Sequence, residues 1–157
     1  MANYLGKIPN SHIRDFQRKR IYEAEDMCSF WNHLEVLSLD KVKQLVTDIS
    51  KYFSIPPPQL VTEGHNDTTS QYVLSSIPTA YATSTELVLP YPITKSLPYV
   101  CHEMSHVVNY NSEYADHHGR NFAGTYLITV KEFLGVAEFD ELLNAFKTKK
   151  VKWGVDK

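Results

Sequence analysis

The sequence lacks the features that mark several large classes of protein. Only two of its 157 residues are cysteines, Cys28 and Cys101, and they lie far apart, so a disulfide-stabilised scaffold is not indicated. No apolar run reaches the roughly 18 residues of a membrane span or the core of a signal peptide. We therefore expect a cytoplasmic protein with no membrane partner. The formal net charge of −2 also argues against a nucleic-acid partner.

The composition that remains is that of an ordinary globular protein, with 43% hydrophobic and 22% charged residues. The length, together with the lack of repeats, low-complexity tracts and linkers, predicts a single domain over residues 1–157. Apolar spacing and stop signals predict helices over about 11–33, from 40 to the prolines at 56–58, and over 98–110, 119–134 and 138–149. Short β-rich stretches within 59–90 predict three or four strands, mainly antiparallel. The expected fold is α+β, with this small sheet packed against the third of those helices.

The third predicted helix carries the pattern His-Glu-x-x-His at residues 102–106. Two histidines four residues apart lie one turn above each other, so both imidazoles can reach one metal ion. Glu103 falls within about a 100° arc with them, placed to act on a metal-bound water rather than on the metal. The opposite side of the helix is apolar and should face the core. The pattern predicts a zinc ion held by His102 and His106, with Glu103 as the catalytic base.

A catalytic zinc usually has three protein ligands, so one more is expected elsewhere. The metzincin spacing would place a glycine and a third histidine at the positions that Asn109 and Ser112 occupy, so it is absent. Another arrangement uses a glutamate on a later helix. Glu132 lies at a suitable distance along the chain, but it falls opposite the apolar stripe of its helix and should face solvent.

The adjacent histidines at 117 and 118 are the remaining candidates for the third ligand. They point in different directions, so at most one of them should bind this metal. We favour His118, because Gly119 permits a tight turn into the next helix and Phe122 anchors that helix in the core. His117 stays open as the rival ligand.

Nearby polar residues could assist the site. Asp116 could accept a hydrogen bond from the second ring nitrogen of a ligand, or it could simply cap the following helix. Tyr114, His117 and Arg120 are near enough in sequence to donate a hydrogen bond to a developing oxyanion. An ordinary place in a surface loop is the alternative for each of these three.

The pattern H-E-x-x-H, followed after a short loop by H-G-x-x-F at 118–122, resembles the SprT-like and related minimal zinc peptidases. The stretch 15–25, D-F-Q-R-K-R-I-Y-E-A-E, resembles the opening of a small actinobacterial and phage family of proposed metallohydrolases. Residues 138–151 are similar to the C-terminal helix of that family. The resemblance implies a zincin-like fold with zinc at His102, His106 and His118, Glu103 as the base, and a peptide or protein substrate. The chain has neither a zinc ribbon nor a DNA-binding tail, so no role in DNA repair is implied.

The sequence therefore predicts a zinc-dependent metallohydrolase, above all a peptidase, in which a metal-activated water attacks an amide carbonyl. The alternative is a non-catalytic protein whose zinc is structural and whose surface binds a macromolecular partner. Glu103 favours the enzyme, because a structural site has no need for a base. A third hypothesis is a peptidase-like protein associated with DNA, and the acidic net charge counts against it.

Overall fold

The computed structural model describes residue 15 and residues 17–62, 80–90 and 92–154. Within these residues it contains α1 (Arg18–Asp26), α2 (Leu39–Tyr52), β1 (Gln59–Val61), β2 (Tyr81–Ala82), β3 (Glu86–Val88), α3 (Leu97–Tyr110), α4 (Arg120–Phe133) and α5 (Val136–Thr148), with 3-10 helices at Ser29–Trp31 and Pro92–Lys95. The predicted α+β class is confirmed. None of the helices in the described residues is long and apolar enough to cross a lipid bilayer.

The sheet is mixed, so the prediction of a mainly antiparallel sheet is wrong for the described strands. β3 lies in the centre, with β2 antiparallel on one side and β1 parallel on the other. A parallel pair needs a connection of about a dozen residues or more, and 24 residues (62–85) separate the end of β1 from the start of β3. The strand predicted at 71–74 lies outside the described residues.

The helices begin and end at local signals that the sequence contains. Ser38 caps α2 by accepting a hydrogen bond from the backbone N–H of Lys41 at 3.2 Å, and Pro98 lies in the first turn of α3 as predicted. The last helix begins earlier than predicted, because Gly135 adopts a φ of 134° and turns the chain from α4 directly into α5. α1 ends at Asp26, before the predicted end, and the predicted cap Ser11 lies outside the described residues.

The buried apolar residues form two clusters, and α3 lies between them. One cluster joins α2, the sheet and the apolar face of α3; the other joins α1, α4, α5 and Val151. Every residue from Val100 to Tyr110 is buried, so the polar face of α3 does not meet solvent. That face instead lies against α1 and α4, and a polar group there needs a partner within the protein.

The side chain of Gln17, just before α1, joins the start of that helix to the loop of His118 and to the C-terminal tail. Its side-chain amide donates hydrogen bonds to the backbone carbonyls of His118 and Lys152, each at 3.1 Å, and its carbonyl accepts from the N–H of Lys152 at 2.6 Å. The backbone N–H of Gly154 donates to the carbonyl of Arg120 at 3.1 Å. The C-terminal tail is therefore held as far as Gly154.

Substituting Gln17 tests the contribution of these bonds to stability. Gln17→Ala should lower the free energy of unfolding by about 2 kcal/mol, because buried backbone groups lose their partners. Gln44→Ala is the matched control, since Gln44 is exposed and, among the described residues, its side chain bonds to Asp48 on the same helix. Its loss should stay below about 0.5 kcal/mol. Urea unfolding of both variants measures the difference, and equal losses would show that the Gln17 contacts contribute nothing of their own.

Candidate metal centre

Three histidine side chains meet between α3 and the loop that precedes α4. His102 and His106 come from successive turns of α3, and His118 comes from the loop; all three are buried. Each offers a ring nitrogen, and these nitrogens lie within 4.8 Å of one another. The Nε2 atoms of His106 and His118 are 3.2 Å apart. Two nitrogens bound tetrahedrally to one zinc ion at 2.0–2.1 Å would be about 3.3 Å apart, so this spacing fits a metal.

Two carboxylates from the N-terminal segment hold two of these imidazoles. His102 Nδ1 donates a hydrogen bond to the carboxylate of Glu25, and His118 Nδ1 donates to Asp15 at 2.8 Å. The other oxygen of Asp15 accepts from the backbone N–H of His118 at 3.1 Å. With Nδ1 of each ring donating, Nε2 is the atom that remains for a metal ion, and it offers its lone pair when the imidazole is neutral.

Glu25 is itself held by a chain of hydrogen bonds. The hydroxyl of Tyr126 in α4 donates to Glu25 Oε2 at 2.6 Å, and the same hydroxyl accepts from the indole N–H of Trp31 at 2.9 Å. Burial raises the pKa of Tyr126 well above its usual value, and the adjacent carboxylate adds to the rise, so the phenol keeps its proton. One connected network therefore orients the His102 ring from three separate helices.

Electrostatics keep at least two of the imidazoles neutral. Burial lowers the pKa of His106 well below its ordinary value, and the neighbouring His102 and His118 lower it further. Burial also lowers the pKa of His118, with hydrogen bonding to Asp15 in partial opposition. For His102 burial acts in the same direction, but the Glu25 carboxylate outweighs it and raises the pKa to about 8. Neutral imidazoles with free lone pairs are what a metal ligand requires.

Asp116 caps α4 rather than contacting a histidine ring. Its carboxylate oxygens accept hydrogen bonds from the backbone N–H groups of Asn121 and Phe122, both at 3.0 Å. Of the two roles that the sequence left open, the structure supports the cap. A Cβ at Gly119 would lie only 2.3 Å from Asp116 Oδ2, so glycine is required where this carboxylate crosses the chain.

Asn109 fixes the loop that carries His118. Its buried side-chain amide donates to the backbone carbonyl of Asp116 and, at 2.9 Å, to the carboxylate of the same residue. Phe122 completes the packing, with its ring stacked on His106 at a centroid distance of 4.1 Å and lying 5.1 Å from His118. The predicted anchoring of α4 by Phe122 thus also fixes the two imidazoles against each other.

Glu103 is buried beside the histidines and lines a cavity of about 430 Å³ together with His102. Its carboxylate makes no hydrogen bond to any described residue, in contrast to Glu25 and Asp15. Burial raises the pKa of Glu103; His102 opposes the rise and Glu25 adds to it. An unpaired carboxylate with a raised pKa next to a cavity is available to exchange protons with a bound molecule.

The other predicted residues lie outside this arrangement. His117 does not join the three histidines, and its Nδ1 lies 3.1 Å from the hydroxyl of Tyr110. Tyr114 and Arg120 are exposed and do not line the cavity, and Glu132 is exposed as predicted. The structure therefore brings together His102, His106, His118 and Glu103.

Sequence reasoning missed the two carboxylates that hold the imidazoles. Both lie in the stretch 15–25, for which the sequence predicts part of a helix and shows a family resemblance, but neither residue is assigned a role at the site. One signal was available, because Ile21, Glu25 and Cys28 follow helical spacing and so place an acid on the inward face of α1. An acid on such a face needs a buried partner.

The chain matches no family model, no curated protein and no solved structure in the three comparisons made. The function of this site must therefore be inferred from its own geometry.

Substituting Glu25 tests the support of His102. Glu25→Gln keeps the shape but weakens the hydrogen bond to Nδ1, so zinc affinity should fall about 10- to 100-fold. Glu23→Gln, two residues earlier on the same helix, is the control and should bind zinc as the wild type does. Competition with a chromophoric chelator measures both affinities. Unchanged affinity in Glu25→Gln would mean that the contact does not support a ligand.

A second comparison distinguishes the two neighbouring histidines. His118→Ala removes one nitrogen from the cluster and should lose zinc during dialysis against a mild chelator. His117→Ala should retain about one zinc per chain, because its ring contacts Tyr110 instead. Elemental analysis after dialysis gives the result. If His117→Ala lost zinc and His118→Ala kept it, His117 would be the third ligand instead.

Proposed function

We propose that this protein is a zinc-dependent metallohydrolase that cleaves amide bonds, and more narrowly a peptidase. The observation that carries the proposal is the carboxylate of Glu103, which has no hydrogen-bond partner among the described residues and lines a cavity beside three clustered histidines. A purely structural metal site has no use for a free base at its side. Glu103 therefore favours catalysis over the alternative of a non-catalytic, zinc-stabilised binding protein.

The donor set supports zinc as the metal. Three imidazole nitrogens suit zinc better than magnesium or calcium, which prefer oxygen ligands. Structural zinc sites are usually closed by four protein ligands, whereas catalytic sites have three and leave one position open. Among the described residues the cluster holds three. Zinc bound there would supply Lewis acidity, which polarises a substrate carbonyl and makes a water molecule more acidic.

The chain's own groups account for the proton movements. Glu103 would accept the proton of the attacking water and return it to the leaving amine, and its raised pKa suits both directions of transfer. Glu25 and Asp15 would keep the Nε2 atoms of His102 and His118 directed at the metal. The cavity beside Glu103 would admit the substrate, and burial of the site would exclude competing water.

The arrangement of the helices and the sheet supports a zincin-like fold for the proposed enzyme. An active-site helix packed against a small sheet, with a third ligand supplied just before the next helix, agrees with a zincin-like fold of the SprT-like kind. We extend the proposal to a peptide or protein substrate and a cytoplasmic location. We propose no nucleic-acid partner, since the net charge of −2 gives no electrostatic reason for one.

The test of the function is Glu103→Gln. The amide has nearly the same shape but cannot accept a proton, so zinc content should stay the same while cleavage of a peptide library falls about 100- to 10,000-fold. Glu113→Gln, an exposed change in the following loop, is the control for the loss of one carboxylate. Activity within a few-fold of wild type in Glu103→Gln would exclude Glu103 as the base. A wild-type protein that holds zinc but cleaves nothing would favour the non-catalytic alternative.

A further inference from the structure

Tyr22 covers two of the three clustered histidines. Its ring centroid lies 5.3 Å from that of His118, edge to face, and 6.1 Å from that of His102, nearly parallel. It also lines the cavity that contains Glu103, and 40% of its surface is exposed. A large aromatic residue that contacts two candidate ligands and the cavity at once lies where a substrate must approach.

The surroundings of Tyr22 suit a hydrogen-bond donor. The guanidinium carbon of Arg18, one turn earlier on α1, lies 5.8 Å from the centre of the Tyr22 ring. A phenol ordinarily keeps its proton near neutral pH, and the nearby positive charge of Arg18 makes the Tyr22 hydroxyl a stronger donor.

Amide hydrolysis needs such a donor, because negative charge develops on the carbonyl oxygen as the tetrahedral carbon forms. The sequence suggested Tyr114, His117 and Arg120 for this role. None of the three lines the cavity, and the ring of His117 is paired with Tyr110. Tyr22 does line it, on the side where the histidines and Glu103 meet.

We propose that the hydroxyl of Tyr22 donates the hydrogen bond that stabilises the oxyanion during hydrolysis, a role that rests on the function proposed above. As the water oxygen bonds to the carbonyl carbon, its proton passes to Glu103 and the carbonyl oxygen becomes negative. Tyr22 donates to that oxygen and keeps its own proton. When the C–N bond breaks, Glu103 gives the proton to the amine and the carbonyl re-forms.

Tyr114 provides a matched control outside the cavity. Its side chain is exposed and does not line the cavity. Tyr22→Phe and Tyr114→Phe each remove one hydroxyl and keep the ring. The packing of each site is thus retained, and any difference reports the position of the hydroxyl.

The first measurement is the split between kcat and KM on a peptide that the wild type cleaves. Tyr22→Phe should lower kcat about 10- to 100-fold and change KM less than about three-fold, since the hydrogen bond strengthens only in the transition state. Tyr114→Phe should keep kcat within about two-fold. Equal kcat in Tyr22→Phe and wild type, or a larger loss in Tyr114→Phe, would overturn the proposal.

The second measurement needs no turnover and so separates this proposal from the proposed function. The proteins are loaded with Co²⁺ and titrated with acetohydroxamate, whose oxygens stand in for the oxyanion, while visible absorption reports binding. Tyr22→Phe should bind the probe about ten-fold more weakly than wild type, and Tyr114→Phe should bind it as well as wild type does. Equal affinities in all three would overturn the role of Tyr22. If Tyr22→Phe lost ten-fold in affinity for the probe and the wild type cleaved no peptide, Tyr22 would be supported as an oxyanion donor. Only the proposed peptidase activity would then be contradicted.

Discussion

The hydrogen bond between the buried carboxylate of Glu25 and Nδ1 of His102 is the interaction on which the rest of this structure depends. Glu25 is only 7% exposed, and a carboxylate removed from water is costly unless it has partners. Its partners are His102 and Tyr126, so the docking of α1 depends on the positions of α3 and α4. The same bond directs the other nitrogen of His102 toward the histidine cluster. The docking of α1 and the orientation of His102 therefore depend on one contact.

The sequence predicted the parts of the site that lie close together along the chain. Four-residue spacing in a helix places His102 and His106 together whatever surrounds them, and Gly119 with Phe122 limited the approach of His118. The carboxylates could not be found in this way, because Asp15 is 103 residues from His118 and Glu25 is 77 residues from His102. Only tertiary packing determines such pairs. The role of Glu103 and the zinc ion stay predictions until they are tested.

In the fold, too, features set by neighbouring residues could be predicted from the sequence, and features set by contacts between distant residues could not. Helices with a clear apolar stripe, such as α2 and α4, were predicted to within a few residues. On α1 the buried face carries Gln17 and Glu25 beside Ile21, so hydrophobic spacing alone does not identify it. The parallel pairing of β1 with β3 depends on the path of the intervening chain, and short strands with β-forming residues carry no signal for that direction.

The three hydrogen bonds of Gln17 have a mechanical consequence. They join the start of α1 to the tail after α5 and to the carbonyl of His118 itself. A stretching force applied between those two segments would load the hydrogen bonds that join Gln17 to Lys152 directly. Because the same amide also donates to the carbonyl of His118, displacement of Gln17 would remove a contact from the loop that carries one histidine of the cluster.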